Sequence, residues 1–228
     1  MAQKHVAIVG GHGKVALLAA PKLVEAGFAV DSLIRNPDHA VEVERAGANP
    51  VVLDVEGAGT AELAEAFRGA EAVVFAAGAG GGNPPRTRAV DHAAAVRTME
   101  AARQAGAARY VMVSYTRSLT DIHTLEPGNS FFPYAEAKHH ADEFLRGTEL
   151  DWTILGPGGL TGEPASGLIH VLDAEAAAAA ASEGGREATA TSRENVAEVL
   201  RHVLQNGAAV RETVNFFDGE TPIAQAIG

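Results

Sequence analysis

The sequence contains no cysteine. A disulfide framework, a thiolate metal site and a cysteine nucleophile are all excluded. Basic residues are scarce: 18 Lys and Arg stand against 29 Asp and Glu, a net charge of -11. A surface that acidic disfavours duplex nucleic acid or an anionic membrane as partner, while local dipoles still permit a small anionic ligand. Long apolar runs are also lacking. The N-terminus offers only Val6 to Val9 before a glycine, too little for a secretory signal, and nothing approaches the ~18 apolar residues that span a bilayer. A cytoplasmic protein is expected.

Several catalytic signatures are missing too. A P-loop requires G-x-x-x-x-G-K-[ST]; counted back from Gly13-Lys14 the first position is Ile8, and Val15 follows the lysine. No G-x-S-x-G elbow is present, so an esterase nucleophile has no position. The nine histidines are scattered without an H-E-x-x-H spacing, and no metal site is expected.

What remains is ordinary globular composition over 228 residues, 46% hydrophobic and 21% charged, enough chain to bury a sizeable core. Apolar strand-length runs alternate with helical spacing. Strands are expected at His5–Val9, Phe28–Ile34, Pro50–Leu53, Ala72–Ala77, Arg109–Ser114, Trp152–Leu155, Leu168–Leu172 and Glu212–Phe217. Helices are expected at Lys14–Ala26, Asp38–Ala46, Thr60–Phe67, Thr87–Ala105, Tyr134–Leu145 and Asp173–Ala181. Thr191 and Glu194 form a capping-box pattern ahead of a further helix. Continuous rather than alternating apolar strands indicate a doubly wound α/β fold, a parallel sheet with helices on both faces. One domain over 1–228 is expected, with 158–228 as a small appendage on the substrate side.

The first strand runs into Gly10-Gly11-His12-Gly13-Lys14-Val15-Ala16. Read as G-x-x-G-x-x-A, this supplies a tight turn, a close backbone approach for a pyrophosphate and a small residue for helix-on-strand packing. The following helix N-terminus offers N–H groups and a positive dipole end to phosphate. Lys14 is either a solvated first-turn residue or a secondary phosphate contact. The second strand ends in Arg35, not in an acid. An arginine there pairs with a 2′-phosphate, which favours NADP(H) over NAD(H). Asp31 sits too early in the strand to reach a ribose. Asp54 either accepts from an adenine amino group or caps its own turn.

Tyr134 and Lys138 lie four residues apart, on one face of a helix. An ammonium beside a phenol lowers the phenol pKa from ~10, suiting it to general acid or base work on a carbonyl or alcohol. The loop at 78–85 is placed at the mouth of the site, and Thr120–Phe132 reads as a lid or as disorder.

Together Gly10-x-x-Gly13-x-x-Ala16, Asp54-Val55, Ala76-Ala77-Gly78, Val113-Ser114, Tyr134-x-x-x-Lys138 and Leu155-Gly156-Pro157-Gly158 resemble the short-chain dehydrogenase/reductase superfamily. The similarity is to its atypical, NAD(P)-binding branch, the NmrA-like and biliverdin-reductase-B-like proteins, with a Rossmann-type fold. Thr191 to Ala197 and Gly219 to Ile223 resemble that branch as well. The resemblance implies that Gly10, Gly11, His12 and Gly13 hold the pyrophosphate, with Lys14 and Val15 next to it. It implies that Arg35 meets the 2′-phosphate, Asp54 and Val55 flank adenine, and Ala76, Ala77 and Gly78 line the cofactor. Lys138 would hold the nicotinamide ribose, Pro157 would lie by its amide and Tyr134 would donate the proton. The serine usual ~13 residues before the tyrosine is Asp121 here, so Ser114 or Thr116 would serve.

The expected activity is NADP(H)-dependent reduction of a small carbonyl compound. Two alternatives stand beside it: a redox sensor that binds NADP(H) without turnover, and a sugar epimerase or dehydratase, which the short chain after Pro157 disfavours. No nucleic-acid or membrane partner is expected, and the chain would be a monomer or weak homo-oligomer.

Overall fold

The structure, a computed structural model, describes residues 3–80, 83–116, 122, 125, 126, 128–183 and 189–228. The strands are β1 (Lys4–Val9), β2 (Phe28–Ile34), β3 (Asn49–Val52), β4 (Ala72–Phe75), β5 (Arg109–Val113), β6 (Asp151–Pro157), β7 (Gly159–Thr161), β8 (Leu168–Leu172), β9 (Ala190–Ser192), β10 (Glu212–Asp218) and β11 (Thr221–Pro222). The helices are α1 (Lys14–Glu25), α2 (Ala40–Arg45), α3 (Thr60–Ala66), α4 (Pro84–Thr87), α5 (Ala95–Ala105), α6 (Phe132–Arg146), α7 (Ala174–Glu183), α8 (Arg193–Asn206) and α9 (Ile223–Ala226).

Nine strands form one sheet in the order β11-β8-β10-β6-β5-β4-β1-β2-β3. The pairings from β3 across to β10 are parallel; β8 joins antiparallel to β10, and β11 antiparallel to β8. The chain winds outward from β1 through β2 to β3, then returns to β4 on the other side of β1. That reversal opens a crevice at the carboxyl ends of β1 and β4, the place where such sheets bind ligands.

The alternation along β1 divides the core. Val6 and Ile8 face α1 and α8, among Leu23, Val196, Val199, Leu200 and Val203. Ala7 and Val9 face the other layer, among Leu63, Phe67, Met99, Leu145 and Trp152. Burial on both faces accounts for the continuous apolar strands. Residues beyond 158 add β8, β10 and β11 to the same sheet and lay α8 along α1. β7 and β9 pair with each other beside it.

Three local expectations need correction. The helix expected from Thr87 begins at Pro84, and Asn83 caps it by accepting from the Arg86 N–H. Its next segment, Arg88–Ala94, is π-helical before α5 continues. Apolar periodicity does not register one extra residue per turn. The cap of α8 is Ser192 instead of Thr191. Its hydroxyl oxygen accepts from the N–H groups of Glu194 and Asn195, while the Glu194 carboxylate accepts from Ala165 N–H and from Lys22. β7 and β9, at three residues each, were too short to show as apolar runs.

Candidate cofactor and substrate cleft

Two cavities meet at the end of β4, both lined by Ala76, Ala77 and Gly78. The outer one, of about 280 Å³, lies over the glycine turn and the ends of β2 and β3. The inner one, of about 720 Å³, lies between the π-helical segment, β5 and the start of α6.

The glycine turn is built by close approach. Gly10 has φ +82°, and a Cβ there would stand 2.6 Å from Ala77 Cα. A Cβ on Gly11 would stand 2.4 Å from Ser32 Cβ. Gly13 N–H donates to Gly10 O at 2.8 Å and closes the turn. Gly13 is also the N-cap of α1, with no side-chain cap and no acidic residue in the first turn. The helix therefore presents uncapped N–H groups and its positive end to the crevice. These features fit a dinucleotide pyrophosphate.

Gly10, His12, Gly13, Arg35, Asp54 and Val55 all line the outer cavity. The Arg35 side chain is mostly exposed and lies 3.8 Å from Glu56. Arg86 reaches the same carboxylate at 3.3 Å and donates to Ala79 O. His12 stacks on His39 at 3.6 Å between centroids, and its Nε2 lies 2.7 Å from Glu42. Asp54 caps its own turn by accepting from the Glu56 N–H. Arg97, on α5, donates to the carbonyls of Val55, Glu56 and Ala58 and so holds this wall. Asp31 faces elsewhere, paired with His5 and Asn49. Gly11 lies beneath the turn, and Lys14 contributes to a separate surface hollow.

The inner cavity brings together Val15, Ser114, Tyr134 and Lys138. Lys138 is buried and donates to Val113 O at 2.9 Å. Ser114 donates to Asp142 at 2.6 Å. Thr116 donates to Pro157 O, and neither residue reaches the lining of either cavity. Of Ser114 and Thr116, it is Ser114 that lines the cleft. Asp91 completes the group. It projects from the π-helical segment into the inner cavity, and its carboxylate accepts from the Ala79 N–H at 3.0 Å. Tyr134 packs against Tyr115 and Phe131, with centroids 5.4 and 5.3 Å away.

One sequence expectation fails here. Lys138 does not lower the Tyr134 pKa. Burial, then the charges of Asp91 and Asp142, push the phenol well above its ordinary value. Burial also lowers Lys138, against the opposing pull of Asp142 and Asp91. The same burial raises Asp91, opposed by Lys138 and the Ala79 N–H. A phenol in that setting stays protonated.

Asp91, Asp142, Arg86 and Arg97 were not among the expected residues. Asp142 continues the four-residue spacing Tyr134, Lys138, Asp142, a signal the sequence did contain. Asp91 had none, because its direction depends on the π-helical turn. Asp121 and Gly81-Gly82 lie outside the described residues, as do residues 120, 123, 124 and 127 of the segment Thr120–Phe132.

Residues 10–207 match a family described as NAD(P)H-binding. The UPF0659 protein C216.03 of Schizosaccharomyces pombe is 34% identical, with 96% of this chain and 92% of that protein covered. A Bacillus subtilis protein called an uncharacterized sugar epimerase, YhfK, is 32% identical over 87% of this chain and 86% of its own. The solved structure of the oxidoreductase ylbE from Lactococcus lactis superposes with a TM-score of 0.80 at 26% identity, covering 97% of this chain and 94% of that one. With the parallel sheet, the uncapped glycine turn and the paired cavities, these findings place the chain in the NAD(P)H-binding family of atypical short-chain dehydrogenase/reductases.

Proposed function

We propose that the protein is an NADP(H)-dependent oxidoreductase that reduces a small carbonyl compound to an alcohol. The observation that carries this is the continuity of the two cavities at Ala76 to Gly78, which joins the glycine turn to Tyr134, Ser114 and Lys138. The preference for NADP(H) is supported by Arg35 and Arg86 at the outer cavity and by the absence of an acid at the end of β2. A 2′-phosphate there would take the guanidinium groups that Glu56 now pairs.

NADPH, when bound, supplies the hydride that the carbonyl carbon receives. The protein's own residues govern the rest. Gly10 to Gly13 and the α1 N-terminus bind the pyrophosphate. Lys138, fixed by its bond to Val113 O, holds the ribose on the nicotinamide side. Ser114 orients the carbonyl oxygen by turning to it the hydroxyl proton that it otherwise donates to Asp142. Tyr134 keeps its proton until negative charge develops on that oxygen, then transfers it and completes the alcohol.

The test is NADPH oxidation followed with a panel of aldehydes and ketones. Tyr134→Phe is expected to lower kcat by roughly 100-fold or more while NADPH affinity stays within about twofold. Saturable NADPH binding with no turnover of any carbonyl would favour the sensor reading. The name of the Bacillus subtilis relative keeps sugar epimerisation as the second reading; that reaction consumes no net hydride, so it is followed by product stereochemistry and not by NADPH oxidation.

A further inference from the structure

The reductase reading leaves the substrate open, and the inner cavity narrows it. One part of its wall is buried and ionisable. Asp91, Lys138 and Ser114 line it, with Asp142 held behind the serine. Both carboxyl groups act electrostatically on the one ammonium. Unless both are protonated, the group carries no net positive charge. Lys138 is the only Lys or Arg in the described lining. Among the described residues an anionic substrate would leave water and meet no uncompensated cation, a costly transfer.

The other part of the wall is aromatic. Tyr134 and Phe131 line the cavity, and Tyr115 packs against both at 5.4 and 5.5 Å. Phe131 is 39% exposed and stands at the mouth. Pro84, Pro133, Ala79 and Leu160 continue this apolar surface. Flat π faces of this kind favour a flat partner.

We propose that the inner cavity selects a neutral, planar, conjugated carbonyl compound, and that Asp91, adding its carboxyl to that of Asp142 against the one ammonium of Lys138, sets this preference. Carboxylated and phosphorylated compounds, sugar nucleotides included, are rejected by the same charge balance. The proposal rests on the reductase reading for the cavity's role as substrate site. Asp91 acts as a specificity residue: of the two carboxyl groups it is the one in the described cavity lining, so its charge is the one a ligand meets.

The test is calorimetric binding to the NADPH-loaded protein, with 2-naphthamide as the neutral probe and 6-carbamoyl-2-naphthoate as the charged one. Neither amide takes up hydride from NADPH, so affinity is read without turnover. The neutral amide is expected to bind at least about tenfold more tightly than the carboxylate. Asp91→Asn should tighten the carboxylate at least about fivefold and move the neutral amide by less than about twofold. Asp91→Glu should retain the original preference, and Phe131→Ala should weaken both probes about threefold. Equal binding of the two probes, or an Asp91→Asn variant with unchanged discrimination, overturns the proposal. Failure of both amides to bind overturns it as well, and leaves carbonyl turnover to be judged by its own assay. Failure of NADPH to load would instead strike the reductase reading.

Discussion

Gly11 shows how a missing side chain makes a binding turn. Its Cα packs against Ser32, and a Cβ would fall 2.4 Å from the serine Cβ. Gly11→Ala must therefore push the turn off β2, at a cost of about 1–3 kcal/mol. The expected result is a lower Tm together with weaker NADPH binding, measured by thermal melts with and without the nucleotide. Asp91 gives a second prediction at this scale. Burial raises its carboxyl pKa above the ordinary carboxylate range. The folded state then holds the proton more tightly than the unfolded chain, and stability falls as pH rises through the unfolded value. Asp91→Asn removes that loss. Its Tm should exceed the parent's near neutral pH, and the difference should vanish at about pH 3, where Asp91 is protonated in both states. A constant difference at both pH values would contradict this. Arg35, Ser114, Tyr134 and Lys138 were legible as types at meaningful positions. The direction of the Tyr134 shift was not, because spacing reports proximity to Lys138 and says nothing of burial.

At the scale of elements, α1 and α8 are held together by a polar clasp as well as by apolar packing. Lys22 on α1 donates to Glu194 and Glu198 on α8, at 3.1 and 2.7 Å. The Ala165 N–H and Lys22 lower the Glu194 pKa, and for Glu198 the bonds to Lys22 and Arg201 outweigh burial. Depressed carboxylates stabilise the fold above their unfolded pKa, and that contribution is lost as pH falls through the folded value. Lys22→Met should cost about 0.5–1 kcal/mol near neutral pH and progressively less as pH falls below about 4, read from urea unfolding. β1, β4 and β5 were legible because most of their residues on both faces are buried and their apolar runs are unbroken. β7 and β9 were not, since three residues carry no pattern. The π-helical segment was hidden for a different reason. Val90, Asp91 and Ala94 are buried there, an arrangement set by backbone winding and not by residue type.

For the whole molecule, the topology decides where chemistry happens. The reversal between β1 and β4 puts the glycine turn, the end of β2 and the start of α6 around one cleft, although they are up to about 120 residues apart in sequence. The chain carries a net charge of -11, yet Arg35 and Arg86 stand at the outer cavity and the α1 N-terminus faces it. Those local charges must outweigh the global field for an anionic nucleotide to bind. The dependence on salt should accordingly be stronger for NADPH than for NADH, by the extra phosphate. Calorimetric titration with each nucleotide at low and moderate ionic strength checks this. The most direct measurement of the central claim is that same titration with the parent protein and Arg35→Ala. The account predicts saturable 1:1 binding of NADPH, tighter than NADH, with Arg35→Ala weakening NADPH roughly tenfold and sparing NADH. Absence of binding to either nucleotide would contradict it.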